Sequence, residues 1–316
     1  MLSNTMLQLS EEDVHALDPA RVLTAIETAF RDYYDSVTIA PRIQIPVADG
    51  VLLIMTCYSR TGNALGTKLV VARDQPTGSQ ERIEATYLLW NAANSAPKLM
   101  IPANYLTDLR TAATSAVVTK FLAREDARVL GIFGTGRQAR SHIKMMPLVR
   151  QFQRVLVCGT HAERTRQFAR EMSADQLPVE ARDAATCASE ADVICTCTSS
   201  QTPLFDGSVL RPGTHLNLVG TFQPHAREVD SATMQRAQIV VETYDGALAE
   251  AGDLLIPLAE KVISRERIVA DLHELVSGKR SVRRTTEEIT VFKSVGCALE
   301  DLATAELLVK SRAQRS

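Results

Sequence analysis

The first third of the chain mixes helix and strand patterns without a regular alternation. A helix is predicted after Asp18-Pro19, because a capping residue and a proline precede apolar residues that recur every three or four positions. Residues 42–57 predict a hairpin that turns at Ala48-Asp49-Gly50. Two strands and a long helix are predicted next: 66–72, 84–91 and 106–123. This region is therefore predicted to be α+β.

Strands and helices alternate regularly in the middle of the chain. The predicted strands are short and apolar: 128–133, 154–158, 191–198, 215–219 and 238–241. A helix that follows the glycine turn at 134–139 and runs to about 149, and a second over 162–172, separate the first three strands. Such alternation is typical of a parallel sheet that helices cover on both faces.

The end of the chain is predicted to rejoin its beginning. At roughly 150 residues per domain, two domains are the default for 316 residues. A last helix, predicted over 298–310, is expected to return to the front part of the chain. We therefore expect residues 119–295 to form one domain, inserted into another that combines 1–118 with 296–316.

Composition narrows the class of protein. Lys and Arg number 35 against 37 Asp and Glu, and this balance excludes a strongly basic nucleic-acid binder. The longest apolar run, Val51–Met55, is far shorter than the roughly 20 residues of a membrane span, and the N-terminus lacks a basic start. A cytoplasmic protein without membrane contact is expected. No metal site is expected either, because Cys and His form no closely spaced ligand pairs.

A glycine turn predicts a dinucleotide site. The residues Gly134-Thr135-Gly136-Arg137-Gln138-Ala139 fit G-x-G-x-x-A, and they lie between a predicted strand and a predicted helix. Gly134 permits the tight turn, Gly136 leaves space for a pyrophosphate, and Ala139 lets the helix approach the strand. Phosphate would bind the N–H groups at the helix start. We expect a doubly wound Rossmann sheet that binds NAD or NADP; the alternative is a purely structural turn in another α/β protein.

The end of the second predicted strand bears on the choice of cofactor. NAD-binding sites usually place a carboxylate there, about 20 residues after the turn, to bind the ribose 2′-hydroxyl. This chain has Cys158-Gly159-Thr160-His161 instead, followed by Arg164. Thr160 could bind a 2′-phosphate, and His161 or Arg164 could balance its charge. NADP is therefore slightly favoured over NAD, and a solvated helix start is the competing interpretation.

Five stretches together resemble the ornithine cyclodeaminase/μ-crystallin family. In chain order they are 66–68, 106–115, the glycine turn, 220–230 and 288–296. The resemblance covers nearly the whole chain. It implies a Rossmann domain inserted in a split α+β substrate-binding and dimerisation domain, and a homodimer. It also implies a small amino or imino acid substrate and NAD or NADP as cofactor.

The resemblance also implies the site residues. The family's substrate-carboxylate groups match Arg42, Lys68 and Arg110. An arginine fork binds a carboxylate bidentately, and a lysine adds a compact charge with a mobile proton. Lys68, or a water that it holds, is the expected proton donor to an imine. Further residues are expected to line the cofactor: Thr111, Thr198, Val219, Gly220, Thr221 and Ser294.

Two departures from the family pattern narrow the activity. Cyclodeaminases carry carboxylates where this chain has Phe222 and, in the early hairpin, Leu53. Both carboxylates would handle the ammonium of an open-chain amino acid, so their loss argues against deamination of ornithine. The expected activity is NAD(P)H-dependent reduction of Δ1-pyrroline-2-carboxylate or Δ1-piperideine-2-carboxylate to L-proline or L-pipecolate. The alternatives are an ornithine cyclodeaminase, an alanine-type amino-acid dehydrogenase, and a non-catalytic ligand-binding protein.

Overall fold

The computed structural model of the protein describes residues 6–73, 82–173 and 177–314. Its helices, in chain order, are α1 (Glu11–His15), α2 (Pro19–Thr28), α3 (Asn104–Leu122), α4 (Arg137–Met145), α5 (Ala162–Met172), α6 (Ala184–Glu190), α7 (Ser231–Arg236), α8 (Tyr244–Glu250), α9 (Gly252–Ala259), α10 (Leu272–Val276) and α11 (Ala298–Ala313). Short 3-10 or π turns occupy Ala29–Tyr33, Tyr34–Ser36, Met146–Leu148, Gly207–Val209 and Arg265–Arg267.

The strands fall into two sheets. They are β1 (Leu7–Gln8), β2 (Val37–Ile39), β3 (Ile43–Val47), β4 (Gly50–Ser59), β5 (Ala64–Ala72), β6 (Ile83–Asn91), β7 (Ala96–Pro102), β8 (Val129–Phe133), β9 (Arg154–Cys158), β10 (Val179–Ala181), β11 (Val193–Thr196), β12 (His215–Leu218), β13 (Ala237–Val241), β14 (Ile268–Asp271) and β15 (Ile289–Lys293).

Contacts divide the chain into two units. One combines Met1–Arg110 with Cys297–Ser316, and the other is Thr111–Gly296. The first boundary lies inside helix α3, whereas the sequence-based boundary was placed at 118/119; the second lies one residue beyond 295/296. An apolar pattern predicts a continuous helix, and it does not show where along that helix the contacts change from one unit to the other.

The first unit carries a largely antiparallel sheet with the order β1-β7-β6-β5-β4-β2 among its described residues, and β3 pairs with β4. The predicted hairpin is confirmed, because β3 and β4 pair in register from Ile43↔Ile54 to Val47↔Gly50. Helix α2 begins where its cap was predicted, with the Asp18 carboxylate accepting a hydrogen bond from the Ala20 N–H.

Strand β5 and helix α11 enclose the interior of the first unit. Burial alternates along β5, so Gly66, Lys68 and Val70 share the buried face. Helix α11 packs against this strand and buries Leu299 and Leu302. The last helix therefore belongs to the first unit, as its apolar pattern predicted.

The second unit is a doubly wound α/β domain. Its described residues form an eight-stranded sheet with the order β10-β9-β8-β11-β12-β15-β13-β14, in which every pair is parallel. Side chains of the sheet and of the helices that pack on it make one apolar core, among them Phe133, Leu156 and Ile194 from strands and Met234 and Leu254 from helices. The predicted Rossmann sheet is confirmed.

Strand register brings separate segments to one edge of this sheet. Phe133 lies opposite Cys158 and Thr196, Thr196 opposite Leu218, and Leu218 opposite Lys293. Each of these residues is the last of its strand. The loops that follow five neighbouring strands therefore begin side by side, at the carboxyl edge where open α/β sheets bind their ligands.

Candidate active site

The first unit contains a buried group of ionic side chains, here called the ion cluster: Lys68, Arg110, Glu300 and Asp301. One oxygen of Asp301, Oδ1, accepts hydrogen bonds from Lys68 Nζ at 2.8 Å and from Arg110 Nε at 3.1 Å. Arg110 Nη1 donates to Glu300 Oε2 at 2.5 Å. Lys68 Nζ also donates to Thr107 Oγ1 at 3.3 Å. Strand β5, helix α3 and helix α11 each contribute to the cluster.

Burial changes the chemistry of the lysine. Lys68 is 1% exposed, and Glu300 and Asp301 are fully buried. Burial and the neighbouring Arg110 charge lower the pKa of Lys68 to about 8, although Asp301 acts in the opposite direction. An ammonium with this pKa is charged at neutral pH and loses its proton far more readily than an exposed lysine. Such a group can serve as a general acid.

The three residues that the family pattern assigns to the substrate carboxylate lie near one another. Lys68 and Arg110 meet on Asp301 Oδ1. Arg42, half-buried just before β3, lies close enough for its charge to lower the pKa of Lys68 further. Several cationic donors around one buried position suit a carboxylate ligand.

Glu300 and Asp301 were not predicted as site residues. They lie in the first turn of α11, where acidic residues are ordinary because they favour the helix dipole. Only their zero exposure marks them as unusual, since carboxylates are almost never fully buried without partners. The sequence does show two adjacent acids within an apolar helix pattern, but this pattern does not identify Lys68 and Arg110 as their partners.

The two positions that depart from the cyclodeaminase pattern lie in different parts of the structure. Leu53 is buried in β4, between Gln44 of β3 and Val70 of β5. Phe222 is half-buried and packs against the apolar core of the second unit.

In the second unit, the glycine turn has the geometry that a phosphate requires. Gly134 has φ +114°, and a Cβ there would stand 2.5 Å from the carbonyl oxygen of Cys197. Gly136 is the N-cap of α4, with no side-chain cap and no atom within 4 Å of where a Cβ would stand. Ala139 is fully buried. The open space before an uncapped helix start fits a dinucleotide pyrophosphate. Thr135 and Gln138 are half-buried beside it, and Arg137 is exposed.

The predicted 2′-phosphate region lies at the surface of the second unit. Thr160, His161 and Arg164 are exposed, and His161 is the N-cap of α5 without a side-chain cap. Glu163 in the same turn forms an ion pair with Arg166. Glu163 is the first carboxylate after β9 among the described residues, and its ion-pair partner lies on the same helix, α5.

A buried carboxylate joins the loops that were predicted to line the cofactor. Glu228 is fully buried, and burial raises its pKa. Its oxygens accept hydrogen bonds from Thr198 N–H at 3.0 Å, Thr198 Oγ1 at 2.6 Å, Thr196 Oγ1 at 2.7 Å and Gly220 N–H at 2.8 Å. The ends of β11 and β12 are thereby held to the same side chain.

A second buried pair fixes the neighbouring segments. Lys293 Nζ lies 2.9 Å from Asp253 Oδ2 and donates to the Thr221 carbonyl at 2.7 Å. Ser294 is buried and donates to Glu242 Oε1 at 2.7 Å. Thr111 is buried in α3, and Val219 is half-buried after β12. Sequence reasoning named the lining residues but not the supporting Glu228, Asp253 and Lys293.

The described residues contain neither a metal-ligating cluster nor a membrane-spanning helix. Within residues 6–73, 82–173 and 177–314, no group of three or more His, Cys, Asp or Glu side chains is placed to hold a metal ion. No described helix is both long and apolar enough to cross a membrane.

A doubly wound parallel sheet, a glycine turn before an uncapped helix and strand ends gathered at one edge define a dinucleotide-binding protein of the Rossmann class. The chain belongs to the ornithine cyclodeaminase/mu-crystallin family, because the model of that family matches residues 3–316. The resemblance carried by the five sequence stretches is thus confirmed.

Three similar proteins bear names that concern imine reduction. A Δ1-pyrroline-2-carboxylate reductase of Bacillus cereus is 34% identical over 302 residues, covering 93% of this chain and 92% of that protein. A ketimine reductase mu-crystallin of Macropus fuliginosus is 35% identical over 275 residues, covering 85% and 84%. The structure of the Thermococcus litoralis Δ1-pyrroline-2-carboxylate reductase, in complex with NADH and L-proline, has a TM-score of 0.94 at 33% identity and covers 98% of both chains.

Replacing Glu228 with glutamine tests the supporting role of this carboxylate. The amide would present an NH2 to neighbours that donate hydrogen bonds, so at least one buried donor would lose its acceptor. We expect Glu228→Gln to destabilise the protein by about 1–3 kcal/mol and to weaken NAD(P)H binding. Urea unfolding and a fluorescence titration with NADPH measure both effects. Glu190→Gln, which alters a surface pair with Arg154, is the matched control; equal effects of the two substitutions would contradict the assignment.

Proposed function

We propose that this protein uses NAD(P)H to reduce cyclic ketimine carboxylates, Δ1-pyrroline-2-carboxylate and/or Δ1-piperideine-2-carboxylate, to L-proline or L-pipecolate. The observation that carries the proposal is the buried lysine of the ion cluster, whose pKa lies near 8 beside an arginine that can bind a carboxylate. The names of the similar proteins support it, since two are Δ1-pyrroline-2-carboxylate reductases and one is a ketimine reductase.

The proposed reaction assigns distinct tasks to the site residues. Arg42 and Arg110 hold the substrate carboxylate, which orients the ring and its C=N bond. NAD(P)H, when bound, supplies the hydride that the C=N carbon accepts. Lys68 supplies the proton: its N–H bond breaks as an N–H bond forms at the ring nitrogen. The neutral amine then regains a proton from solvent.

The cofactor is proposed to lie along the carboxyl edge of the parallel sheet. Its pyrophosphate would meet the turn at Gly134–Ala139, and the residues that follow β11, β12 and β15 would line the rest: Thr198, Val219, Gly220, Thr221 and Ser294. Thr111 at the start of the second unit would contribute to the same site. Glu228 would act indirectly by holding two of these segments together.

Cyclodeamination is the less suitable chemistry for these side chains. Releasing ammonia from ornithine requires a group that manages protons on its amino nitrogens, and carboxylates do this in the related cyclodeaminases. Leu53 and Phe222 have no titratable group. Leu53 lies on the strand that pairs with the one carrying Lys68, and an apolar side chain favours the methylenes of a small ring at about 0.8 kcal/mol per buried CH2.

We propose that the protein is a homodimer that uses the first unit as its interface. Strand β3 supports this, because Ile43, Ile45 and Val47 are exposed although a one-sided strand normally buries its apolar residues. A second copy of the chain would cover them. The cytoplasmic location stays a prediction.

The direct test is a substrate screen with a lysine variant beside the wild type. The wild type should oxidise NADPH or NADH with pyrroline or piperideine carboxylate and leave L-ornithine unchanged with NAD+. Lys68→Met should lower kcat/KM by at least about 100-fold, because general-acid catalysis contributes that much or more. Its affinity for NADPH should be unchanged.

The matched control is Lys98→Met, which removes an exposed lysine of β7. Normal turnover by Lys68→Met would remove this residue from the chemistry. Ammonia release from ornithine at a comparable rate would make the protein a cyclodeaminase. Tight ligand binding without turnover by the wild type would make it a binding protein.

Cofactor preference is tested at Thr160. A carboxylate there would repel a 2′-phosphate and accept a hydrogen bond from a 2′-hydroxyl. Thr160→Asp should therefore shift the ratio of kcat/KM values from NADPH toward NADH by about tenfold or more, which corresponds to about 1.4 kcal/mol or more, because juxtaposed like charges are unfavourable. Thr24→Asp, on the exposed face of α2, is the control. A strong NADH preference in the wild type would show the NADP assignment to be wrong.

The dimer is tested on strand β3. Ile45→Lys places a charge in the centre of the proposed apolar interface and should convert the dimer to a monomer, since a buried unpaired charge is strongly unfavourable. Light scattering after size-exclusion chromatography measures the mass. Leu148→Lys changes an equally exposed apolar residue of the second unit and should leave the mass unchanged. A wild-type monomer would refute the proposal.

A further inference from the structure

The carboxylate of Asp301 connects the two cations of the ion cluster. We propose that Asp301 is a positioning residue, which fixes the Lys68 ammonium relative to the Arg110 guanidinium so that the proton donor faces the ring nitrogen of a substrate held by its carboxylate. The inference rests on the proposed function. It assigns a task to a residue that lies more than 190 positions from Arg110 in the chain.

The geometry of the shared oxygen carries the argument. Asp301 Oδ1 accepts from Lys68 Nζ at 2.8 Å and from Arg110 Nε at 3.1 Å, so one atom sets the separation of the two donors. Thr107 donates its own hydroxyl proton to the Ala103 carbonyl at 2.7 Å and therefore accepts from Lys68. Two of the three N–H groups of the ammonium are thus directed to fixed acceptors on α3 and α11. A lysine side chain, flexible by itself, is held in one orientation.

The second oxygen of Asp301 is buried at an energetic cost. The Asp301 side chain is fully buried, and among the described residues its second oxygen, Oδ2, has no hydrogen-bond partner. A buried polar atom without a partner costs about 1–3 kcal/mol, more when it is charged. Its neighbour Glu300 forms an ion pair with Arg110, whereas Asp301 binds both Arg110 and Lys68. The two acids therefore have different tasks.

Asp301 also affects the pKa of Lys68. Burial, Arg110 and Arg42 all lower the pKa of Lys68, whereas the charge and the hydrogen bond of Asp301 raise it. Asp301 therefore keeps the ammonium protonated near neutral pH.

Two uncharged titratable groups, Cys57 of β4 and Tyr87 of β6, also lie near Asp301. Burial raises the pKa of Cys57 to about 12 and that of Tyr87 well above its ordinary value, so both stay neutral. The charges of Asp301 and of Glu306 in α11 raise both pKa values further. The charges of Asp301, Arg110 and Arg42 shift the pKa of Lys68.

The pH dependence of kcat/KM tests the proposal, because it reports the ionisation of the free enzyme. The wild type should lose activity as pH rises through about 8, where Lys68 deprotonates. Asp301→Asn keeps the shape of the side chain and removes its charge. The alkaline midpoint should then fall by about one pH unit or more, the usual effect of an adjacent opposite charge, and the activity at pH 7 should fall by about twofold or more as Lys68 loses its proton.

Glu300→Gln is the matched control, since Glu300 adjoins Asp301 in the same helical turn and is equally buried. It removes the carboxylate charge that pairs with Arg110. The KM for the ketimine should rise, and the alkaline midpoint should fall less than in Asp301→Asn, because Asp301 itself binds Lys68. A midpoint that is unchanged in Asp301→Asn, or lowered equally in both variants, would overturn the proposal.

Two further measurements keep the test decisive. If Asp301→Asn does not fold, as judged by circular dichroism, Asp301→Glu replaces it: the charge remains, so the midpoint should hold while kcat falls because the donor is displaced. An unchanged kcat would overturn the proposal. If the wild type reduces no cyclic ketimine, the proposed function has failed, and NMR titration of the 13Cε signal of Lys68 in wild type and Asp301→Asn still shows whether Asp301 controls the lysine.

Discussion

The burial of a lysine and an arginine beside each other is the constraint on which the first unit depends. Desolvating two like charges is costly, and their proximity adds to the cost, so buried carboxylates must accompany them. Helix α11 supplies both carboxylates, Glu300 and Asp301. The C-terminal helix therefore has an electrostatic reason to return to the sheet that carries Lys68, in addition to the apolar packing of Leu299 and Leu302.

The second unit applies the same principle to backbone groups. The loops that follow the parallel strands contain backbone N–H groups, which need hydrogen-bond acceptors when they are buried. Glu228 satisfies such groups after β11 and β12, and Asp253 accepts from the N–H groups of Glu228 and Val229 at 2.8 and 3.1 Å. Lys293 balances the charge of Asp253. In both units, fully buried carboxylates hold other residues in place, and the groups proposed to meet substrate or cofactor are the ones they hold.

Local constraints explain why part of the molecule could be predicted from the sequence. The glycine turn is set by backbone conformation and by contacts of the missing Cβ at Gly134, which act over a few residues. The hairpin over β3 and β4 and the start of α2 likewise depend on neighbouring residues. Family resemblance pointed to Lys68 and Arg110, which lie in recognisable stretches, and to Arg42; the structure places the three near one another, and their roles toward substrate stay predictions.

Long-range partnerships explain why the rest could not. Lys68 and Asp301 are separated by 233 positions, and neither has a local pattern that indicates the other. Strand β15 enters the sheet between β12 and β13, out of chain order, because pairing depends on packing rather than on sequence proximity. Strand β10 carries only three residues, too few for a period-two pattern to appear.

The central claim is that the ion cluster holds the carboxylate of a cyclic imino acid while Lys68 faces its ring nitrogen. A crystal structure of the protein with NADP+ and L-proline tests it most directly, because proline is the proposed product. The account predicts that the proline carboxylate lies within hydrogen-bond distance, about 3 Å, of the Arg42 and Arg110 guanidinium groups, and that Lys68 Nζ is the nearest protein donor to the ring nitrogen. A proline bound away from Lys68, or with its ring nitrogen facing another acid, would contradict the account.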